Sequence, residues 1–258
     1  MSAIDWSLLL IPFLAGLLVL STHVPLGREV LARGIIFIDL AIAQVAGLGV
    51  TAAHLLQWGG EEAAGPVPQL AAAAAACLAA LLLTWSGKRW PPIQEALIGL
   101  LFVFAACAGI LLLAHDPRGG DHLRDLLAGQ ILWVGPQQLL IPALLYALLL
   151  AGWSQRWRLG DAGFYLLFAL AVTVSVQLVG VFLVFASLIA PALASRRLAG
   201  KRGQTFGYAV GGAGYALGLG ASALWDLPAG PAIATTLCLL ALLGLQDGQQ
   251  VESKAPAA

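Results

Sequence analysis

From Ala96 to Ala114 no charged residue interrupts the chain. This is one of a series of apolar runs, each roughly the 20 residues that a helix needs to cross hydrocarbon. A backbone in lipid has no water to bond, so a chain of this pattern can cross only as helices or as a closed barrel. The runs are continuous and rich in Leu and Ala, where a barrel would show alternating strands of about 10 residues. The expected fold is therefore all-α, a polytopic transmembrane helical bundle. Composition agrees, with 60% hydrophobic and 10% charged residues, against about 25% charged in soluble domains. A soluble fold of this composition would expose large apolar patches.

The candidate spans are 6–22, 34–56, 69–86, 94–114, 136–153, 163–179, 181–196, 205–224 and 231–245. Nine spans lie inside the roughly eight to ten that the length allows. Residues 163–196 are long for one span and short for two. Loop charge decides between them. Arg28 and Arg33 follow the first span, Lys88 and Arg89 the third, Arg156 and Arg158 the fifth, and Arg196, Arg197, Lys201 and Arg202 follow residue 195. The positive-inside rule places all these loops in the cytoplasm, so 163–196 must cross an even number of times. Two short helices with a tight turn near Gly180 meet that condition. The N-terminus is then outside and the C-terminus inside. Loop 57–68 carries Glu61 and Glu62 and no basic residue, and 225–231 carries only Asp226. The 115–135 loop is the longest and the one outside loop with basic residues, Arg118 and Arg124. Residues 1–245 form a single membrane domain, and 246–258 a short polar cytoplasmic tail, expected to be disordered. The first apolar run has no basic flank before it and no A-x-A site after it, so it reads as a retained span.

Several function classes drop out. No G-x-x-x-x-G-K-[ST] loop is present, so energy must come from a partner or an ion gradient. No H-E-x-x-H, G-x-S-x-G or intramembrane Asp pair marks an enzyme, and Ser187 has no His beside it in sequence. A net charge of zero argues against nucleic acid as a partner. Cys77, Cys107 and Cys238 lie in apolar runs without C-x-x-C spacing and read as small buried hydrophobes. Trp85, Trp90, Trp133, Trp153, Trp157 and Trp225 sit at span ends, as an interfacial aromatic belt does. Gly207, Gly211, Gly214 and Gly218 put small residues at helical spacing, for packing within one subunit or between two.

Asp39 is the residue with the most to say. A carboxylate inside a span is costly and usually faces a bundle interior, a cavity or a permeation path. On sequence it is a structural group bonded to another helix, a liner of a cation path, or a proton relay. Gln44 lies about 140° away around the helix, whereas His54 shares the face of Asp39 about 22 Å further along. Carboxylate and imidazole are both ligands for divalent ions. A His near a membrane interface is also an ordinary interfacial residue. His115, Asp116, Asp121 and His122 crowd one outside loop and can bind a borderline metal or simply be solvated. Arg118 among them disfavours a tight cation site.

Three stretches carry a resemblance. The first is Val24-Pro-Leu-Gly27 leading into the run from Ile38 to Gly49, which resembles Gly-Asp-x-x-x-His-x-x-x-x-Gly. The second is Leu126-Leu-Ala-Gly-Gln-Ile-Leu-Trp133, similar to Leu-x-Gly-(Asp/Gln)-Ile-Leu. The third and most specific runs from Val176 through Val179-Gly180 to Pro191-Ala-Leu-Ala194. Together with Asp226-Leu-Pro-Ala-Gly-Pro231 they resemble the permease subunits of metal-ion ABC importers, the zinc, manganese and iron group, over nearly the whole chain. The resemblance implies a homodimeric pore in the bacterial inner membrane, two cytoplasmic ATP-binding subunits and an external solute-binding protein. It implies no permanently bound cofactor. A divalent metal ion, zinc foremost, is the transported substrate, and Asp39 matches the motif Asp. Two departures stand out. The motif His aligns with Gln44, a poorer ligand for zinc. The family's ATPase-docking helix falls where this chain has only Ser154 to Asp161. The competing reading is a partner-independent secondary transporter or channel for cations.

Overall fold

The computed structural model describes residues 6–56, 58, 66–114, 120 and 127–252. Among these residues there are nine α-helices and no strand. They are α1 (Leu10–Arg33), α2 (Ile38–Leu55), α3 (Val67–Arg89), α4 (Gln94–Leu113), α5 (Leu140–Ser154), α6 (Arg156–Val179), α7 (Val181–Ala194), α8 (Gly200–Trp225) and α9 (Ala229–Glu252). Six stretches, α1 to α4, Pro136–Ser154 and Gly160–Val179, are long and apolar enough to cross a membrane. The helices follow the order of the nine candidate spans, and the boundaries differ where backbone chemistry intervenes.

The first span does not stop at residue 22. Helix α1 carries Pro25 inside it and runs on to Arg33, where Gly34 turns left-handed (φ 68°) and its amide bonds back into the last turn. Arg28 and Arg33 are thus helical. A long stem lets an arginine keep its charge at the interface while its backbone stays in the helix. The second span starts later than expected, at Ile38, after the turn that Gly34 begins. The tail also differs. Helix α9 continues to Glu252, past Leu245 where the apolar run ends, so 246–252 is helical and not disordered.

The 163–196 region is two helices separated by one residue, Gly180, with φ 80° and ψ 163°. That conformation suits glycine. A Cβ on Gly180 would run into the backbone of Gly129. Helix α7 has 14 residues, a rise of about 21 Å, short of a hydrocarbon core of about 30 Å. It is not a full span by itself. It lies alongside α1 in the same direction, with Gly27 against Leu188 and Arg28 against Ser195. The chain does therefore return to the end of the bundle from which α6 set out.

That end is the basic one. Arg28, Arg33, Lys88, Arg89, Arg196, Arg197, Lys201 and Arg202 all fall at helix ends there. Contacts tie these ends together: Arg33 bonds Asp161 at 2.9 Å, and the Phe37 amide donates to Glu95 at 3.2 Å. The core is built from α1, α2, α3, α6 and α7, one face of α8 and α9, and Tyr146 and Leu149 of α5. Its largest sealed groups include Tyr146, Tyr215 and Phe168. The two tyrosine hydroxyls pair with Ser175 and Ser187 respectively, so no polar tip is stranded. Ser187 is thus a structural partner. On α8, Gly207 and Gly211 admit Val24 and Leu20 of α1, and Gly214 and Gly218 admit Leu237 and Ile233 of α9. The small stripe packs helices within one chain. Cys107 and Cys238 lie on exposed helix faces and Cys77 is half-buried, so burial of all three does not hold. Most of α4 and α5 presents apolar side chains outward, Leu111 and Ile141 among the most exposed. Trp85, Trp90, Trp133 and Trp225 are exposed near helix ends, as in an aromatic belt.

Candidate functional site

Helix α2 connects two environments. At its far end from the basic side, Gln44, Thr51 and His54 line a cavity of ≈ 1140 Å³. They recur at near-helical spacing, so one side of α2 forms a wall. Gln69 at the start of α3, Gln130 and Gln138 beside α5, and Gln177 on α6 supply the other polar groups. The rest of the lining is apolar. Among the described residues no Asp, Glu, Lys or Arg lines it. A carboxamide offers a neutral carbonyl oxygen, which can bond a hydrated ion or replace one water. It does not hold a cation as a carboxylate does. This lining suits passage more than storage.

Asp39 occupies the other end of α2. It is in the helix's first turn at the basic side, nearer the end than its sixth place in the expected 34–56 span implies. The difference comes from the late start of α2. The side chain is 1% exposed, and neither carboxylate oxygen has a hydrogen-bond partner. Its near polar neighbours are the amides of Asp39 and Leu40 at the helix N-terminus and the carboxylate of Glu95. A helix N-terminus favours a negative charge, by about 0.3–1 kcal/mol at exposed sites and more when buried. Asp39 does not line the cavity.

The structure therefore separates two residues that the sequence places on one face. His54 opens to the cavity, and Asp39 is sealed about 22 Å away along α2. Gln44 joins His54 and is itself 7% exposed. His115, Asp116, Asp121 and His122 lie outside the described residues. Among the described residues no group of three His, Cys, Asp or Glu side chains converges as a metal set. Among the described residues one chain thus offers isolated polar groups and no metal cage.

Several contributors carry no strong sequence signal. Gln69, Gln130, Gln138 and Gln177 are single amides beside apolar runs, and only their convergence gives them meaning. Glu95 follows Pro91-Pro92 and reads as a helix start. His23 is another. It is fully buried, its Nδ1 lies 3.0 Å from the Val19 carbonyl, and its Nε2 has no partner.

The segment that follows α5 also takes shape. Between α5 and the break at Gly160 (φ 62°, ψ −165°), residues 156–159 form one helical turn. The short loop is a helix of minimal length. Beyond the break, Asp161 accepts from Arg33 at 2.9 Å. Arg33 also bonds Glu29 and lies 4.1 Å over the Phe164 ring.

Comparison with known proteins bears on this arrangement. The sequence model of the ABC 3 transport family matches residues 5–159 and 156–247. A chain in the solved structure of PsaBC from Streptococcus pneumoniae in complex with Fab is similar in fold, with a TM-score of 0.73 and 21% identity. The similarity covers 93% of this chain and 91% of that one. At that identity the likeness is one of architecture.

Proposed function

The chain belongs to the ABC 3 transport family, and from that membership we propose that it is the permease subunit of an importer for a divalent metal ion, zinc foremost. The observation that carries the reading is helix α2, which runs from an open cavity at His54 and Gln44, where no Asp, Glu, Lys or Arg is among the described lining residues, to a sealed carboxyl without a side-chain partner at Asp39. A cation entering the cavity meets neutral oxygens first. It meets a carboxyl group only past the cavity, at the basic end. A pump needs its route closed at one end at a time, and a sealed Asp39 below an open cavity is the arrangement of a route closed on the basic side.

The remaining parts follow from this reading. Two copies form the pore. The basic loops face the cytoplasm, the N-terminus lies outside, and the membrane is the bacterial inner membrane. Residues 1–245 are the permease domain, and 246–258 extend toward the cytoplasm. ATP-binding subunits dock at the reduced contact within 154–161 or at the 196–204 loop. An external solute-binding protein delivers the ion to the cavity mouth. With no phosphate-binding loop of its own, the permease hydrolyses no ATP.

The test is uptake of Zn²⁺ into liposomes holding the permease with its ATPase and binding protein. Uptake should need ATP and fall sharply in Asp39→Asn, while assembly persists. Robust uptake by the permease alone supports the secondary-transporter reading. Normal uptake by Asp39→Asn removes Asp39 from the route.

A further inference from the structure

Asp39 has a second carboxylate as its neighbour. Helices α2 and α4 start at the same end of the bundle and pack together, and each has its acid in the first turn, Asp39 in one and Glu95 in the other. Glu95 is oriented from α2 itself. Its Oε1 accepts the Phe37 amide at 3.2 Å, two residues before Asp39. Its Oε2 is buried and has no partner. Three carboxylate oxygens, Oδ1 and Oδ2 of Asp39 and Oε2 of Glu95, are thus out of water with no side-chain partner, and only the helix N-terminal amides of Asp39 and Leu40 approach Asp39. Asp39 itself is 1% exposed.

Such a group of oxygens is not self-sufficient. A buried ion without a partner costs several kcal/mol, and two like charges side by side add to it. The two helix N-termini supply only part of the compensation. Among the described residues neither acid takes part in a salt bridge. Arg33 ends α1 just before α2 begins, but it is committed to Glu29 and Asp161 at 2.9 Å each and stacks on Phe164. What the pair lacks is positive charge and electrophilic contact. A divalent cation supplies both, because its charge cancels two carboxylates and all three free oxygens can bond it.

We infer that Asp39 and Glu95 together form one two-carboxylate station for a divalent cation at the basic end of α2 and α4. The inference rests on the importer reading above and adds Glu95 as the second ligand. The Phe37 amide positions Glu95 through Oε1 and leaves Oε2 for the ion. The ligand set within one chain is then oxygen only, since Gln44 and His54 belong to the cavity.

The test is equilibrium binding of Zn²⁺, and in parallel Mn²⁺, to the full transporter in nanodiscs, alongside ATP-driven uptake. Glu95→Gln keeps an oxygen for the Phe37 amide and removes the charge. Loss of an outer-shell partner alone weakens metal binding by about 10–100-fold, and loss of a ligand should be no milder. Asp39→Asn and Glu95→Gln should each lose at least about tenfold, and the double variant less than the product of the two, as for residues sharing one site. Wild-type affinity in Glu95→Gln with loss in Asp39→Asn overturns the shared station and leaves the importer reading standing. Unchanged binding and uptake in both variants removes the importer role of Asp39 as well. If Glu95→Gln does not assemble, Glu95→Asp keeps the charge and withdraws the oxygen by one methylene. Unchanged affinity in that variant overturns the inference.

Discussion

Arg28 of α1 donates to the Oγ of Ser195 at 2.9 Å and to its carbonyl at 3.2 Å, while its other terminal nitrogen reaches the Leu198 carbonyl at 2.9 Å. One guanidinium thus closes the turn that links α7 to α8 and fastens it to α1. Carbonyls in the turn beyond a helix end need partners from outside the helix, and here an arginine from a neighbouring helix meets two of them. Arg28→Met keeps the stem and removes the donors. It should lower stability by about 1–3 kcal/mol, the range for hydrogen bonds to charged groups. Thermal unfolding of the detergent-solubilised protein measures this. A melting temperature equal to wild type shows that the clasp contributes nothing.

The glycine stripe of α8 makes a contrast. Gly211 faces Leu20 of α1 across a gap too small for a Cβ, whereas no atom lies within 4 Å of where a Cβ on Gly220 would be. Gly211→Val should cost at least about 1–3 kcal/mol through overpacking. Gly220→Ala should be neutral or slightly stabilising, because it removes backbone freedom from the unfolded chain. Expression and thermal unfolding of the two variants should diverge, and equal behaviour contradicts the assigned packing.

Gln44 lines the cavity and is the lining residue of α2 nearest Asp39 in sequence. Gln44→His introduces an imidazole, a stronger ligand for zinc than an amide oxygen. It should assemble normally, raise affinity for Zn²⁺ relative to Mn²⁺ by at least about tenfold, and slow release. Competition binding read with uptake rates checks this. No change in the ratio of the two affinities means that Gln44 does not meet the ion.

Trp58 and Arg197 sit at opposite ends of the bundle and are both exposed. With Cys77, Cys107 and Cys238 replaced, single cysteines at 58 and 197 should label from opposite sides of the membrane. The 58 position should react from outside. Labelling of both from one side contradicts the proposed orientation.

The membrane class, the order of the nine helices and the break at Gly180 are legible in the sequence, because each rests on a local rule. Apolar length decides what can lie in lipid, and a glycine in an apolar run marks where a backbone turns or is closely approached. The family is legible for a similar reason, since its motifs are contiguous stretches. Asp39 stands out because one charge among apolar residues is a local anomaly.

What the sequence does not reveal is what each residue meets. Asp39 and His54 share a helical face about 22 Å apart, but only the packing seals the acid and opens the imidazole to a cavity. Glu95 reads as an ordinary acid after two prolines until α4 lays it beside α2. The four cavity glutamines outside α2 come from separate segments, and no spacing links them. Run length, periodicity and the charge of loops are properties of neighbouring residues, so the chain by itself determined an all-helical membrane protein and its likeness to a transport family. The approach of Glu95 to Asp39 and the glutamine-lined cavity above them depend on how helices far apart in sequence pack, and only the tertiary structure decided those.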